Sequence, residues 1–89
     1  MFGEIKWTDA SEDHIAHHGV VPAEVRDVLY SRPRIVADAG DGKTAVFGTT
    51  SAGRYLLVVT TEADDGRTFV VTARNMTDQE KRTFQGKAK

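Results

Sequence analysis

The chain has 89 residues, 28% of them charged, with 12 Lys and Arg against 13 Asp and Glu and a net charge of −1. That length accommodates one hydrophobic core and a single domain over residues 1–89, and the near-zero net charge excludes a protein that coats nucleic acid by bulk electrostatics. The absence of cysteine removes disulfides, thiolate metal sites and a cysteine nucleophile together, and no apolar run approaches the length needed to span a bilayer.

The opening segment Met1 to Trp7 lacks the long apolar stretch of a secretory signal, so a cytoplasmic protein without membrane association is expected. Glu4-Ile5-Lys6-Trp7 alternates polar and apolar residues and predicts a short edge strand. Thr8 reads as the N-cap of a first helix whose opening turn holds Asp9, Glu12 and Asp13, and which stops near His18-Gly19. Ile15 is its clear core contact. Pro22 suits the first position of a second helix in which Val25, Val28 and Leu29 form an apolar stripe, with Arg26 and Asp27 facing away. Arg32-Pro33 ends that helix.

From Arg34 the pattern changes to strands. Arg34–Ala37 and Thr44–Thr49 flank a turn at Ala39-Gly40-Asp41-Gly42. Arg54–Thr61 is apolar on both faces over its middle, as a central strand is, and Ala63-Asp64-Asp65-Gly66 turns the chain into Arg67–Ala73. Thr77-Asp78-Gln79-Glu80 has the form of a capping box opening a short last helix to about Phe84, followed by a tail at 86–89 expected to fray. The predicted fold class is therefore α+β: an antiparallel meander of about four to five strands, two N-terminal helices, a short C-terminal helix, and helices covering one sheet face.

Residues 1–40 carry four bases against seven acids, and residues 41–89 eight bases against six acids. An anion-binding surface is accordingly expected on the sheet and last helix. Its candidates are Lys43, Arg54, Arg67 and Arg74, with Lys81 and Arg82 beyond. Guanidinium groups on a sheet suit phosphate binding and stabilisation of a phosphoryl transition state; the alternative is a set of solvated cations balancing local acids. Strict alternation puts Arg74 on one face with Thr68, Val70 and Thr72. His14 and His18 lie one helical turn apart, a spacing that zinc can use, but the sequence places no further ligand beside them, so no metal is assigned. The other reading is an exposed helix end where a protonated imidazole suits the dipole. Glu80 is claimed by the capping box. No Ser-His-Asp signature or phosphate-binding glycine loop is present; Gly40-Asp41-Gly42-Lys43 reads as a hairpin turn.

Together, Ile5-Lys6-Trp7, His14 to Val20, Pro22-x-Glu24-Val25, Gly53-Arg54-x-Leu56 and Thr72-Ala73-Arg74-Asn75-Met76-Thr77 with Glu80 and Phe84 resemble the BrnT family of toxin–antitoxin toxins over nearly the whole chain. The resemblance implies a fold similar to RelE-type ribonucleases and a cytoplasmic endoribonuclease that inhibits translation. It further implies a ribbon-helix-helix antitoxin of the BrnA kind as partner, and contact with DNA only through that antitoxin. RNA cleavage would need no metal or other cofactor: a ribose 2′-OH attacks the adjacent phosphate, which calls for a base, an acid and cations. Carried onto this sequence, the cations are Arg54 and Arg74, with Lys43 or Arg67 assisting. His18 is the acid/base, since histidine ordinarily titrates near neutrality. Arg67, Lys81 and Arg82 would contact RNA. The chain departs from the family in having His17 where a lysine is common, and Asp41-x-Lys43 where a Glu-x-Arg element is common. These departures define an alternative: a non-catalytic relative that keeps the antitoxin-binding surface.

Overall fold

The computed structural model describes residues 3–87. The elements run β1 (Ile5–Lys6), α1 (Asp9–Ala16), α2 (Pro22–Tyr30), β2 (Arg34–Gly40), β3 (Lys43–Thr49), β4 (Tyr55–Glu62), β5 (Thr68–Asn75) and α3 (Asp78–Lys87). The five strands form one sheet in the order β1-β5-β4-β3-β2. Strands β2 to β5 are an antiparallel meander, and β1 joins its edge parallel to β5. The predicted α+β class and the central place of β4 are both observed.

Thr8 caps α1, but through a partner that the sequence reading passed over: Ser11 donates its amide to Thr8 Oγ1, and its own hydroxyl accepts the Thr8 amide. Helix α1 ends at Ala16 rather than His18, and Gly19 then turns the chain at φ +71°, a left-handed value that a β-carbon would strain. Helix α2 begins at Pro22 as expected, and Glu24 accepts the Val21 amide at 3.1 Å. Helix α3 opens on the predicted reciprocal cap: Thr77 N–H donates to Glu80 Oε1 at 2.9 Å, and Glu80 N–H donates to Thr77 Oγ1 at 3.1 Å. It runs past Phe84 to Lys87, so Gly86 and Lys87 are helical, while the rest of the expected frayed tail lies outside the described residues.

The core lies between the sheet and α1–α2. Ile15, Val20, Val25, Val28 and Leu29 pack on Val46, Leu56, Val58, Val70 and Ala73, with Ile5 and Trp7 against the cluster's edge. Gly48 of β3 lets α2 come close: a β-carbon there would stand 3.2 Å from Val28 Cγ1.

The three helices do not share one face, contrary to the sequence expectation. Phe84 of α3 meets Tyr55 edge-on, with ring centroids 5.9 Å apart, and borders a groove with Ile35 and Phe47 on the other side of the sheet. The cause is visible in β4: Leu57 is buried as well as Leu56 and Val58, so both faces of this strand need an apolar cover.

A second correction concerns β5. Val59 pairs with Thr72 but Thr60 pairs with Val70, so Val71 is an extra residue that bulges the strand. Alternation slips by one there. Val70 and Ala73 both enter the core, and Arg74 shares its face with Thr72 and with its cross-strand neighbour Leu57, not with Val70 and Thr68.

Candidate functional site

The residues singled out from sequence fall into separate places. Arg54, immediately before β4, is the centre of a hydrogen-bonded hub at the end of the sheet where β4 begins and β5 ends. Its Nη1 donates to both Glu24 carboxylate oxygens, at 2.9 and 3.0 Å, and to the Gly19 carbonyl at 2.8 Å. Its Nε donates to Asn75 Oδ1 at 2.9 Å, and its Nη2 to the His18 carbonyl at 3.4 Å. A single planar fork thus ties the α1–α2 turn, the first turn of α2 and the end of β5 to the start of β4. Glu24 and Asn75 are members of this site that the search for cations missed; Glu24 was visible only as a residue of the Pro22-x-Glu24-Val25 landmark.

Arg74 lies at the same end of the sheet but on the α3 face. It makes a two-pronged pair with Glu80, Nη1 to Oε1 at 2.8 Å and Nη2 to Oε2 at 3.0 Å, and Nη1 also donates to the Asn75 carbonyl. The Arg74 guanidinium, helped by the Thr77 amide, lowers the Glu80 pKa to about 2. The same pairing raises that of Arg74 above its ordinary value. Glu80 therefore has two duties, cap and counter-ion, of which the sequence pattern showed the first. Lys81 stands over the Tyr55 ring, its Nζ 4.7 Å from the centroid, and Arg82 on the next position of α3 is exposed.

Lys43 and Arg67 are not part of this end. Lys43 opens β3 opposite Thr61, and Arg67 immediately precedes β5, whose first residue pairs with Glu62. Thr61 lies seven positions along the chain from Arg54, roughly 23 Å at the usual rise per residue. Arg67 pairs instead with Asp65 across its own turn, Nε to Oδ2 at 2.8 Å. The Arg67 amide, bonded to the same carboxylate, lowers the Asp65 pKa.

His18 is exposed beside the Arg54 hub, held there by its backbone carbonyl, and its ring meets that of His14 edge-on at 5.9 Å. Among the described residues, no three His, Asp or Glu side chains group closely enough to hold a metal ion. Asp27 does not simply face away from the core: Ser51 donates both its amide and its hydroxyl to Asp27 Oδ2 at 3.0 Å, which lowers the carboxyl's pKa and ties α2 to the β3–β4 turn.

The structure therefore brings His18 and Arg54 together on the α1–α2 side and sets Arg74, Lys81 and Arg82 around the corner on the α3 side. Chemically, the first group offers an exposed histidine whose carbonyl meets a guanidinium bonded through Nε, Nη1 and Nη2. The second offers Lys81 over the Tyr55 ring and an exposed Arg82 beside it in sequence, with a carboxylate that holds Arg74 in a fixed orientation. No helix of the described residues is long and apolar enough to cross a membrane. No family model, curated protein or solved structure matches the chain.

Proposed function

We propose that this chain is the toxin of a type II toxin–antitoxin pair, an endoribonuclease that inhibits translation in the cytoplasm, fitted to a ribbon-helix-helix antitoxin. The observation that supports this reading is the Arg54 hub. Segments that carry the likeness to BrnT toxins, and that stand 21 to 36 residues apart from Arg54, converge on that one guanidinium: His18-Gly19, Glu24 and Asn75.

In this reading RNA lies across the end of the sheet, its phosphates drawn to Arg74, Lys81 and Arg82, with a base stacked toward the Tyr55 side. The attacking 2′-OH gives up its proton as its oxygen bonds to the adjacent phosphorus. The 5′-oxygen of the next nucleotide leaves with a proton, and a 2′,3′-cyclic phosphate remains. Arg74 exchanges a Glu80 oxygen for a phosphate oxygen as charge develops there, and His18, which stands on the other side of the sheet's end, is given the proton transfers by the resemblance alone. Lys43 and Arg67, at the far end, have no part in the chemistry.

A second reading is favoured by the carboxylates. Arg54 and Arg74 are each paired with a glutamate, an arrangement suited to holding a fold together and competing with a phosphate for the same donors. On that reading the chain is a non-catalytic relative that binds antitoxin. Growth of a bacterial culture expressing the chain, with total RNA resolved alongside, separates the two. Growth arrest with new RNA fragments, abolished by Arg74→Ala in a variant that keeps the parent's circular dichroism, is the result expected of the ribonuclease. Normal growth and intact RNA at confirmed soluble expression would transfer the function to the second reading. Cleavage by Arg74→Ala at the parental rate would remove Arg74 from the site.

A further inference from the structure

Of the sheet's two edges, β1 contributes two residues and β2 seven. The outer side of β2 has no partner strand among the described residues, and Val36, its third residue, is 52% exposed. Edge strands of this length are commonly protected by a lysine or proline within them, and β2 (Arg34-Ile35-Val36-Ala37-Asp38-Ala39-Gly40) has neither. Its pairing with β3 shifts register between Asp38 and Gly40, which bends the edge there, and Pro33 immediately precedes Arg34. The straight, pairable stretch is therefore 34–38, centred on Val36.

That stretch is its own complement. Arg34, Val36 and Asp38 point to one face and Ile35 and Ala37 to the other, as their partners on β3 require. Turned about a two-fold axis through Val36, the strand sets the cation of Arg34, whose Nη1 also donates to the Leu29 carbonyl, opposite Asp38 of a second copy, whose carboxylate also accepts the Gly40 amide, at both ends. The same rotation sets Val36 opposite itself, and Ile35 opposite Ala37 of the second copy on the other face. Opposite charges directly across an antiparallel pair attract and like charges repel, so a shift by two residues loses both ion pairs, and a shift by one also puts mismatched faces together. A two-fold axis is the commonest symmetry of paired identical chains, and it demands this kind of self-matching surface.

We propose that β2 pairs antiparallel with β2 of a second copy of this chain, about a two-fold axis through Val36, to form one continuous sheet. This dimer stands independently of the toxin reading, because none of the groups in the Arg54 hub or the Arg74–Glu80 pair takes part in it.

The chain has no cysteine, so Val36→Cys supplies a single thiol. Opposed residues in an antiparallel pair have α-carbons about 4.5–5.5 Å apart, within disulfide reach. Mild oxidation is expected to cross-link Val36→Cys into dimers, whereas Val21→Cys, equally exposed at 53% but on the N-terminal side of α2, stays monomeric. By sedimentation equilibrium the parent is expected to dimerise with rising concentration. Val36→Lys and Asp38→Arg should each weaken the dimer by about tenfold or more while preserving circular dichroism. Arg34→Glu should do the same, and mixing it with Asp38→Arg should restore a 1:1 dimer, because each opposed pair again carries opposite charges. If Arg34→Glu fails to fold, the other two variants decide. A parent that stays monomeric at every concentration overturns the proposal, even if it captures a strand of another protein. So does a dimer unaffected by Val36→Lys and Asp38→Arg, or cross-linking of Val21→Cys as fast as of Val36→Cys.

Discussion

The two faces of the sheet are held by different physics. Under α1 and α2, the side chains of Ile15, Leu29, Leu56, Val58 and Val70 have no exposure at all, and the face is sealed by apolar contact. On the α3 side, a single buried aromatic, Phe84, anchors the helix; around it stand the Arg74–Glu80 pair, the Thr77–Glu80 cap and Lys81 over Tyr55. The interior of the first face depends on shape, and its charged contacts, Arg54–Glu24 and Asp27 with Ser51, stand at its rim. The second depends on charge, and is the side on which an incoming phosphate or acidic partner can exchange places with a contact already made.

The contrast is tested most severely by Leu29→Ala. Removal of this side chain, with 0% exposure, should cost about 2–5 kcal/mol in denaturant unfolding, a large part of what a domain of this size has, and the loss should be the same in high salt. Glu80→Ala removes both a cap and a partly exposed ion pair. It should cost about 1–2 kcal/mol, show first as faster amide exchange in α3, and be partly mimicked in the parent by salt.

Acid sharpens the comparison further. The Glu80 carboxyl is held at about 2 against an ordinary value of 4.5, so its contribution is complete above about 4.5 and is lost as pH falls from there through about 2. Amide protection of α3 is expected to fall across that window before protection of α2 does, and Glu80→Gln should flatten the α3 profile while keeping the cap. Lys81→Ala is the mildest change: loss of its contact with Tyr55 should cost about 0.5 kcal/mol, within the range of an exposed cation–aromatic contact.

What was legible in the sequence follows the same division. The stripe of Val25, Val28 and Leu29, the doubly apolar middle of β4 and the Thr77–Glu80 box are local patterns, and each appears in the structure where the pattern put it. The β5 bulge was not legible, because a single extra residue leaves composition unchanged while reversing the facing of everything after it. That one slip moved Arg74 to the α3 side. Nor could spacing reveal that Arg54 answers to Glu24 and Asn75, which only the closed fold brings within 3 Å of it. Candidate cations chosen by residue type alone were consequently a mixture of hub, clamp and far-end turn. The α3 placement was open to inference, since Leu57 and Phe47 needed a cover that α1 and α2, on the opposite face, do not supply.

The Arg54 hub also bears on the order in which the chain assembles. Its bonds close spans of 21, 30, 35 and 36 residues, far longer than the adjacent-strand turns, and together they require β4–β5 pairing and docking of the α1–α2 turn. Contacts that close such long spans are expected to form after the folding barrier, where they slow escape without hastening arrival. Arg54 thus acts as a latch: its loss should leave the refolding rate nearly intact and appear almost wholly as faster unfolding, shortening the native state's lifetime more than its formation time.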